Sequence, residues 1–141
     1  NPGGGYLDVL SVSNGTGVVT SGDYQRYFTV DGQNYCHIIS PETLMPPEYV
    51  SSVSVICADT ALADALSTAL FDMPPEQAIE FVDSQSGVEA VCLDKNGTLY
   101  YSAGYKDLVK NEKSFFEKRR CSCFLRGACG GRCPAFYFFY F

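Results

Sequence analysis

Apolar and polar positions alternate from Tyr6 to Val12 (YLDVLSV), and a period of two predicts a strand. Asn14-Gly15 is a turn signal, and Gly17 to Thr20 reads as a short second strand before a turn at Ser21-Gly22-Asp23. Tyr24 to Val30 (YQRYFTV) is rich in aromatic and β-branched residues and predicts a third strand. Asp31-Gly32 is a favoured hairpin pair, so Asn34 to Ile39 is expected to return beside it. The prolines between Ser40 and Pro47 enforce a loop. Further strands are predicted at Val50–Cys57, Val88–Leu93 and Thr98–Ser102, the last two joined by a turn at Lys95-Asn96-Gly97.

Two helices interrupt this order. Thr60 to Phe71 carries Leu62, Leu66, Ala69 and Leu70 at i, i+4, i+7 and i+8, which make one apolar stripe. Asp59 or Thr60 can cap its N-terminus, and Met73-Pro74-Pro75 ends it. Ala61, Asp64, Ala65, Thr68 and Phe71 fall on another face. A helix apolar on two faces is expected to be buried on both, with Asp64 desolvated. Pro75 opens a second helix, running to about Ser84, which is expected to bury Ala78, Ile79 and Val82. The pattern as a whole predicts an α+β fold, a mostly antiparallel sheet with a helix pair packed on it.

Charge and cysteine usage divide the chain. Residues 1–105 hold thirteen acidic and two basic residues, and residues 106–141 hold three acidic and eight basic ones. The expected organisation is therefore an acidic domain, 1–105, followed by a basic, Cys- and aromatic-rich tail, 106–141. The acidic part would repel nucleic acid. Lys106 to Arg120 has the composition of a basic helix. Cys36, Cys57 and Cys92 lie in apolar runs, as buried thiols do. Cys121, Cys123, Cys129 and Cys133 are crowded as C-x-C-x5-C-x3-C, which would supply four thiolates to zinc or an iron–sulfur cluster. Of the last eight residues seven are apolar and six aromatic, expected either to pack onto the sheet or to be an out-of-frame or cloning-derived end. Asn1-Pro2-Gly3-Gly4-Gly5 reads as a cut or linker, so a preceding segment is expected to be missing. No run of about eighteen uncharged apolar residues predicts a transmembrane helix, and no signal-peptide pattern assigns a compartment.

The helix 60–71 carries the candidate chemistry. Asp64 and Thr68 are four apart, so their side chains are neighbours. No Lys, Arg or His occurs between Pro41 and Asp94 to neutralise the carboxylate. Carboxylate plus hydroxyl is an oxygen-only pair suited to Mg²⁺ or Ca²⁺. The alternative is that Asp64 faces solvent and Thr68 bonds back to the Asp64 carbonyl.

Four ordered segments add a resemblance. Val53-Ser54-Val55-Ile56-Cys57-Ala58-Asp59, followed by Ala61 to Phe71 (ALADALSTALF), resembles the metal-binding strand and helix of the ApbE family of FAD:protein FMN transferases. Ser13-Asn14-Gly15 with Thr20-Ser21-Gly22-Asp23-Tyr24, then Asp31-Gly32 with Tyr35 and His37-Ile38-Ile39, then Gly87-Val88-Glu89-Ala90, are similar to further family segments in the same order. The resemblance covers about residues 7–103 and implies the C-terminal half of a T-fold-like domain. It implies Mg²⁺ held by Asp64 and Thr68, with a further ligand from a backbone carbonyl in the family's N-terminal half, and a flavin nucleotide pocket lined by His37 and Ile39. It names no catalytic residue. It implies FAD as substrate, an acceptor flavoprotein subunit carrying a target Thr as partner, and transfer of FMN with AMP leaving. The family loop "DPRTGxP" reads Ser40-Pro41-Glu42-Thr43-Leu44-Met45-Pro46 here, so its acid and glycine are replaced. The family is about twice this long, so the chain is expected to be a fragment that associates with a missing N-terminal half or self-associates. A non-catalytic flavin-binding or partner-docking module is the alternative.

Overall fold

The longest strand, β5 at Val50–Cys57, is buried at every position except Ser51. Its β-branched residues suit that central place. A computed structural model describes residues 7–24, 26–110 and, as backbone, 135–138. It divides the chain into two compact units, Thr16–Tyr105 and a second made of Asn1–Gly15 with Lys106–Phe141.

In the Thr16–Tyr105 unit, β5 is flanked by β2 (Gly17–Gly22) and β6 (Val88–Asp94), and β7 (Leu99–Tyr101) completes an antiparallel sheet of order β2-β5-β6-β7. The register pairs Val19 with Val55 and Ser21 with Val53 on one side, and Val55 with Ala90 and Val53 with Cys92 on the other. These residues share one face, because directly paired residues point the same way. Helices α1 (Thr60–Phe71) and α2 (Pro75–Asp83) cover it, and Val53, Val55, Cys57, Ala63, Leu70, Phe71, Ala78 and Val82 form the shared core. The α+β sheet with a packed helix pair is thus the observed architecture. Separately, β3 (Tyr27–Val30) and β4 (Gln33–Cys36) form a hairpin. Its turn has positive φ at both Asp31 (50°) and Gly32 (80°), the geometry that makes Asp-Gly a favoured pair.

In the other unit, β1 (Val9–Val12) pairs antiparallel with β8 (Ala135–Phe138), Val9 opposite Phe138. A single helical turn, α3, covers Tyr105–Leu108 and starts on the last residue of the Thr16–Tyr105 unit. The basic helix expected over Lys106 to Arg120 stops at Leu108, where Val109 instead bridges antiparallel to Leu10; residues 111–120 and the four tail cysteines lie outside the described residues. Cys36, Cys57 and Cys92 are buried free thiols, and burial pushes the Cys92 thiol up to about 12. No helix among the described residues is long and apolar enough to cross a membrane.

Three expectations need correction. The strands expected at Tyr6–Val12, Tyr24–Val30 and Asn34–Ile39 are shorter: pairing starts at Val9 and Tyr27 and stops at Cys36. The chain bends at Arg26, whose carbonyl makes the last in-register bond of the hairpin by accepting the His37 N–H at 3.2 Å. Second, the buried stripe of α1 is Ala63, Ser67, Leu70 and Phe71, not the leucine stripe. Leu62 is 45% exposed, Leu66 is only partly buried and Ala69 is exposed. Small residues at 63 and 67 let the helix axis approach β2, which bulkier leucines on that line would prevent. Third, the face bearing Asp64 is not buried: Ala61, Asp64, Ala65 and Thr68 are exposed, and of that group only Phe71 is in the core.

The close approach is tightest at Gly17, where a Cβ would stand 2.6 Å from Thr60 Oγ1 and 2.9 Å from Thr60 Cα. The Thr60 backbone cannot yield without moving α1. Gly17→Ala is therefore expected to destabilise the chain by about 1–3 kcal/mol, read as a lower urea midpoint at unchanged m. An unchanged midpoint would mean the helix start is not pinned there.

Turn chemistry closes the sheet's far end. The Asp94 carboxylate accepts the backbone N–H groups of Thr98 (2.7 Å) and Asn96 (2.8 Å), with Gly97 at φ 85°. The Thr98 bond is the main reason its carboxyl titrates below the usual range, against the opposing effect of burial.

Candidate functional site

Asp59 starts α1 as its N-cap. Its side chain accepts the N–H groups of Ala61 (2.9 Å) and Leu62 (3.2 Å), two donors that the helix itself leaves unpaired. One turn further on, the exposed face presents Asp64 and Thr68. Thr68 Oγ1 donates to the Asp64 carbonyl at 3.3 Å, so the solvent-facing carboxylate and the back-bonded hydroxyl that the spacing offered as an alternative are both observed. Its lone pairs remain available. Ser67, fully buried, donates to the same carbonyl at 2.9 Å. A hydroxyl has one proton, so Ser67 accepts from Ser21 Oγ, 2.8 Å away on β2. This chain of hydroxyls ties the Asp64 turn to the sheet. On the neighbouring β2 position, Thr20 Oγ1 lies 2.7 Å from Ser54 Oγ.

Asp64 and Thr68 line one side of an open cleft of about 440 Å³. Thr20, Ser21 and Gly22 of β2 line it too, as do Arg26 and the segment His37-Ile38-Ile39. Ile38 points into the core, while Ile39 is 50% exposed. The structure therefore brings all four sequence-nominated residues, Asp64, Thr68, His37 and Ile39, to one cleft. His37 Nδ1 lies 3.2 Å from the Arg26 carbonyl. A carbonyl only accepts, so Nδ1 carries the proton, and Nε2 is the nitrogen that can accept. Arg26 and His37 also border a second hollow of about 250 Å³ with the exposed rings of Tyr27 and Phe28.

The donor set can be judged for a cation. Among the described residues the Asp64 carboxylate accepts no hydrogen bond and forms no ion pair, whereas Asp23 is paired with Lys95. An unpaired carboxylate beside a hydroxyl oxygen fits a hard divalent ion. No group of three or more His, Cys, Asp or Glu among the described residues surrounds it. Ligand or water oxygens would have to fill the other positions.

The sequence model of the ApbE family matches residues 1–92. The chain belongs to the ApbE family. It is 35% identical over 105 residues to an FAD:protein FMN transferase of Escherichia coli K12, covering 72% of this chain and 30% of that protein. It is 39% identical over 94 residues to an FAD:protein FMN transferase of Treponema pallidum, covering 66% and 26%. The crystal structure of the ApbE protein of Thermotoga maritima superposes with a TM-score of 0.63 at 33% identity, covering 77% of this chain and 40% of that one. The chain thus spans about 30% of the length of its E. coli relative.

Within this ApbE-family cleft, residue-level reading missed Arg26 and the β2 positions Thr20, Ser21 and Gly22. Arg26 sits in a run of aromatic residues that reads as plain strand, and nothing in that pattern reveals a bend. The Thr-Ser-Gly run carried part of the resemblance, so its place in the cleft had a signal that residue-type chemistry did not use.

Proposed function

We propose that this cleft is the metal- and nucleotide-holding part of an FAD:protein FMN transferase, which moves FMN from FAD to a threonine hydroxyl of an acceptor flavoprotein. The observation that carries this reading is the convergence of Asp64, Thr68, His37 and Ile39 on one cleft in an ApbE-family chain.

Asp64 and Thr68 would hold Mg²⁺ through side-chain oxygens. The bound ion would draw charge from the diphosphate and fix its orientation. Asp64 is kept in place by the two hydroxyl bonds to its own carbonyl. His37 Nε2 can take the proton of an incoming hydroxyl, because its other nitrogen is committed to Arg26. In the transfer a bond forms from the threonine oxygen to the FMN phosphorus, and the bond to the AMP oxygen breaks. Exposed Ile39 offers an apolar surface to the nucleotide.

The test is equilibrium binding of FAD to the chain with Mg²⁺ and with EDTA, followed by incubation with a threonine-bearing acceptor and detection of covalent flavin on a denaturing gel. FAD binding that weakens in EDTA supports the reading. Equal binding in EDTA removes the metal from it, and absence of FAD binding removes the flavin. Metal-dependent binding with no covalent flavin identifies a non-catalytic binding or docking module instead.

A further inference from the structure

Arg26 is the one basic side chain that lines the cleft, and the function proposed above gives its guanidinium no task. The Thr16–Tyr105 unit holds twelve acidic residues and two basic ones, Arg26 and Lys95. Lys95 is committed to an ion pair with Asp23. Among the described residues no hydrogen bond or ion pair engages the Arg26 guanidinium. It lines the same cleft as Asp64, yet the two opposite charges do not close into an ion pair. Two unpaired, opposite charges on the walls of one cleft suit a ligand that bridges them.

We infer that Arg26 is the anion-binding residue of this cleft, its guanidinium taking the diphosphate of a nucleotide whose cation is held at Asp64 and Thr68. This rests on the function proposed above. A divalent cation and a diphosphate diester cancel each other, which leaves the charge of Asp64 uncompensated. Arg26 cancels it. In a strongly acidic unit that balance decides whether an anionic ligand can approach at all. The guanidinium fork matches two phosphate oxygens at once, which a lysine cannot reproduce. The base of the side chain is anchored, since the Arg26 carbonyl accepts both the backbone N–H and the ring Nδ1–H of His37, each at 3.2 Å. The anion-binding group and the proton-accepting ring are thereby held on one short bend.

The experiment measures binding of FAD, ADP and riboflavin to the full chain and its R26Q and R26K variants in Mg²⁺, with unfolding midpoints as a control. R26Q is expected to weaken FAD and ADP binding about tenfold to a hundredfold, to leave riboflavin, which lacks the diphosphate, unaffected, and to unfold at the same midpoint. R26K is expected to recover only part of the loss. If R26Q binds FAD and ADP as the parent does, the inference is overturned while the flavin reading stands. An equal loss for riboflavin also overturns it, because Arg26 would then only shape the cleft. If the parent binds ADP but not FAD and R26Q loses ADP, the anion site stands and the flavin reading falls. A parent chain that binds neither nucleotide overturns both.

Discussion

Asp64→Ala is expected to abolish the Mg²⁺ dependence of FAD binding, with affinity in Mg²⁺ falling at least about a hundredfold, the upper end of what removing a mere supporting partner of a metal ligand costs. The carboxylate is the one charged oxygen donor that α1 brings to the cleft. Without it, the Thr68 hydroxyl is a neutral donor that cannot hold a hard dication against water. Stability should move the other way. Asp64 is exposed and its side chain has no partner among the described residues, so nothing that holds the fold is lost. Alanine is the better helix former by about half a kcal/mol. The unfolding midpoint should therefore hold or rise slightly while binding collapses, the signature of a residue kept for chemistry rather than for packing. Asp64→Asn separates charge from shape: it keeps the size and should lose nearly as much. Titration calorimetry with and without EDTA measures the effect. Wild-type metal dependence in Asp64→Ala would remove Asp64 from the cation site.

Phe71→Ala is expected to produce the largest loss of stability, about 3–5 kcal/mol. Phe71 is fully buried at the end of α1, where it joins Leu70, Ala78 and Val82 under the sheet. A small domain has only about 5–15 kcal/mol in total, so the variant should be partly unfolded at 37 °C. The cavity cannot be filled by local collapse, because α1 is followed at once by Asp72-Met73-Pro74-Pro75 and α2. Phe71→Leu should restore most of the loss. Urea unfolding followed by far-UV circular dichroism reads both. A cost for Phe71→Ala below about 1 kcal/mol, the usual size for a surface or weakly packed position, would show that the helix pair is not closed by this ring.

Much of the fold was legible because local rules and tertiary packing agree in it. Asp31-Gly32 turns with positive φ at both residues and Asn96-Gly97 with positive φ at Gly97, conformations that those residues accept. Val50–Cys57 is a central strand because its valines, isoleucine and small serines fit a position buried on both faces. Pro75 begins α2 as its position predicts. Where bends replace ladders, at Arg26 and after Cys36, the sequence still reads as strand. β propensity reports side chains that suit a pleated surface, and it does not register where the backbone bends out of that surface.

For Asp64 and Thr68, the sequence by itself determined that they are neighbours on one helix turn, and the motifs around them pointed to the ApbE family. Tertiary structure decided which way that turn faces. Alanines and a serine are small enough to lie against a sheet or face water, so periodicity left the buried stripe uncertain by one position. Close packing of Ala63 and Ser67 on β2 settled it and left the carboxylate exposed. The meeting of Asp64 with Arg26 and His37 in one cleft was likewise not encoded in any local pattern. It follows from strand pairing and chain bends that bring distant segments together, which short-range propensity cannot specify.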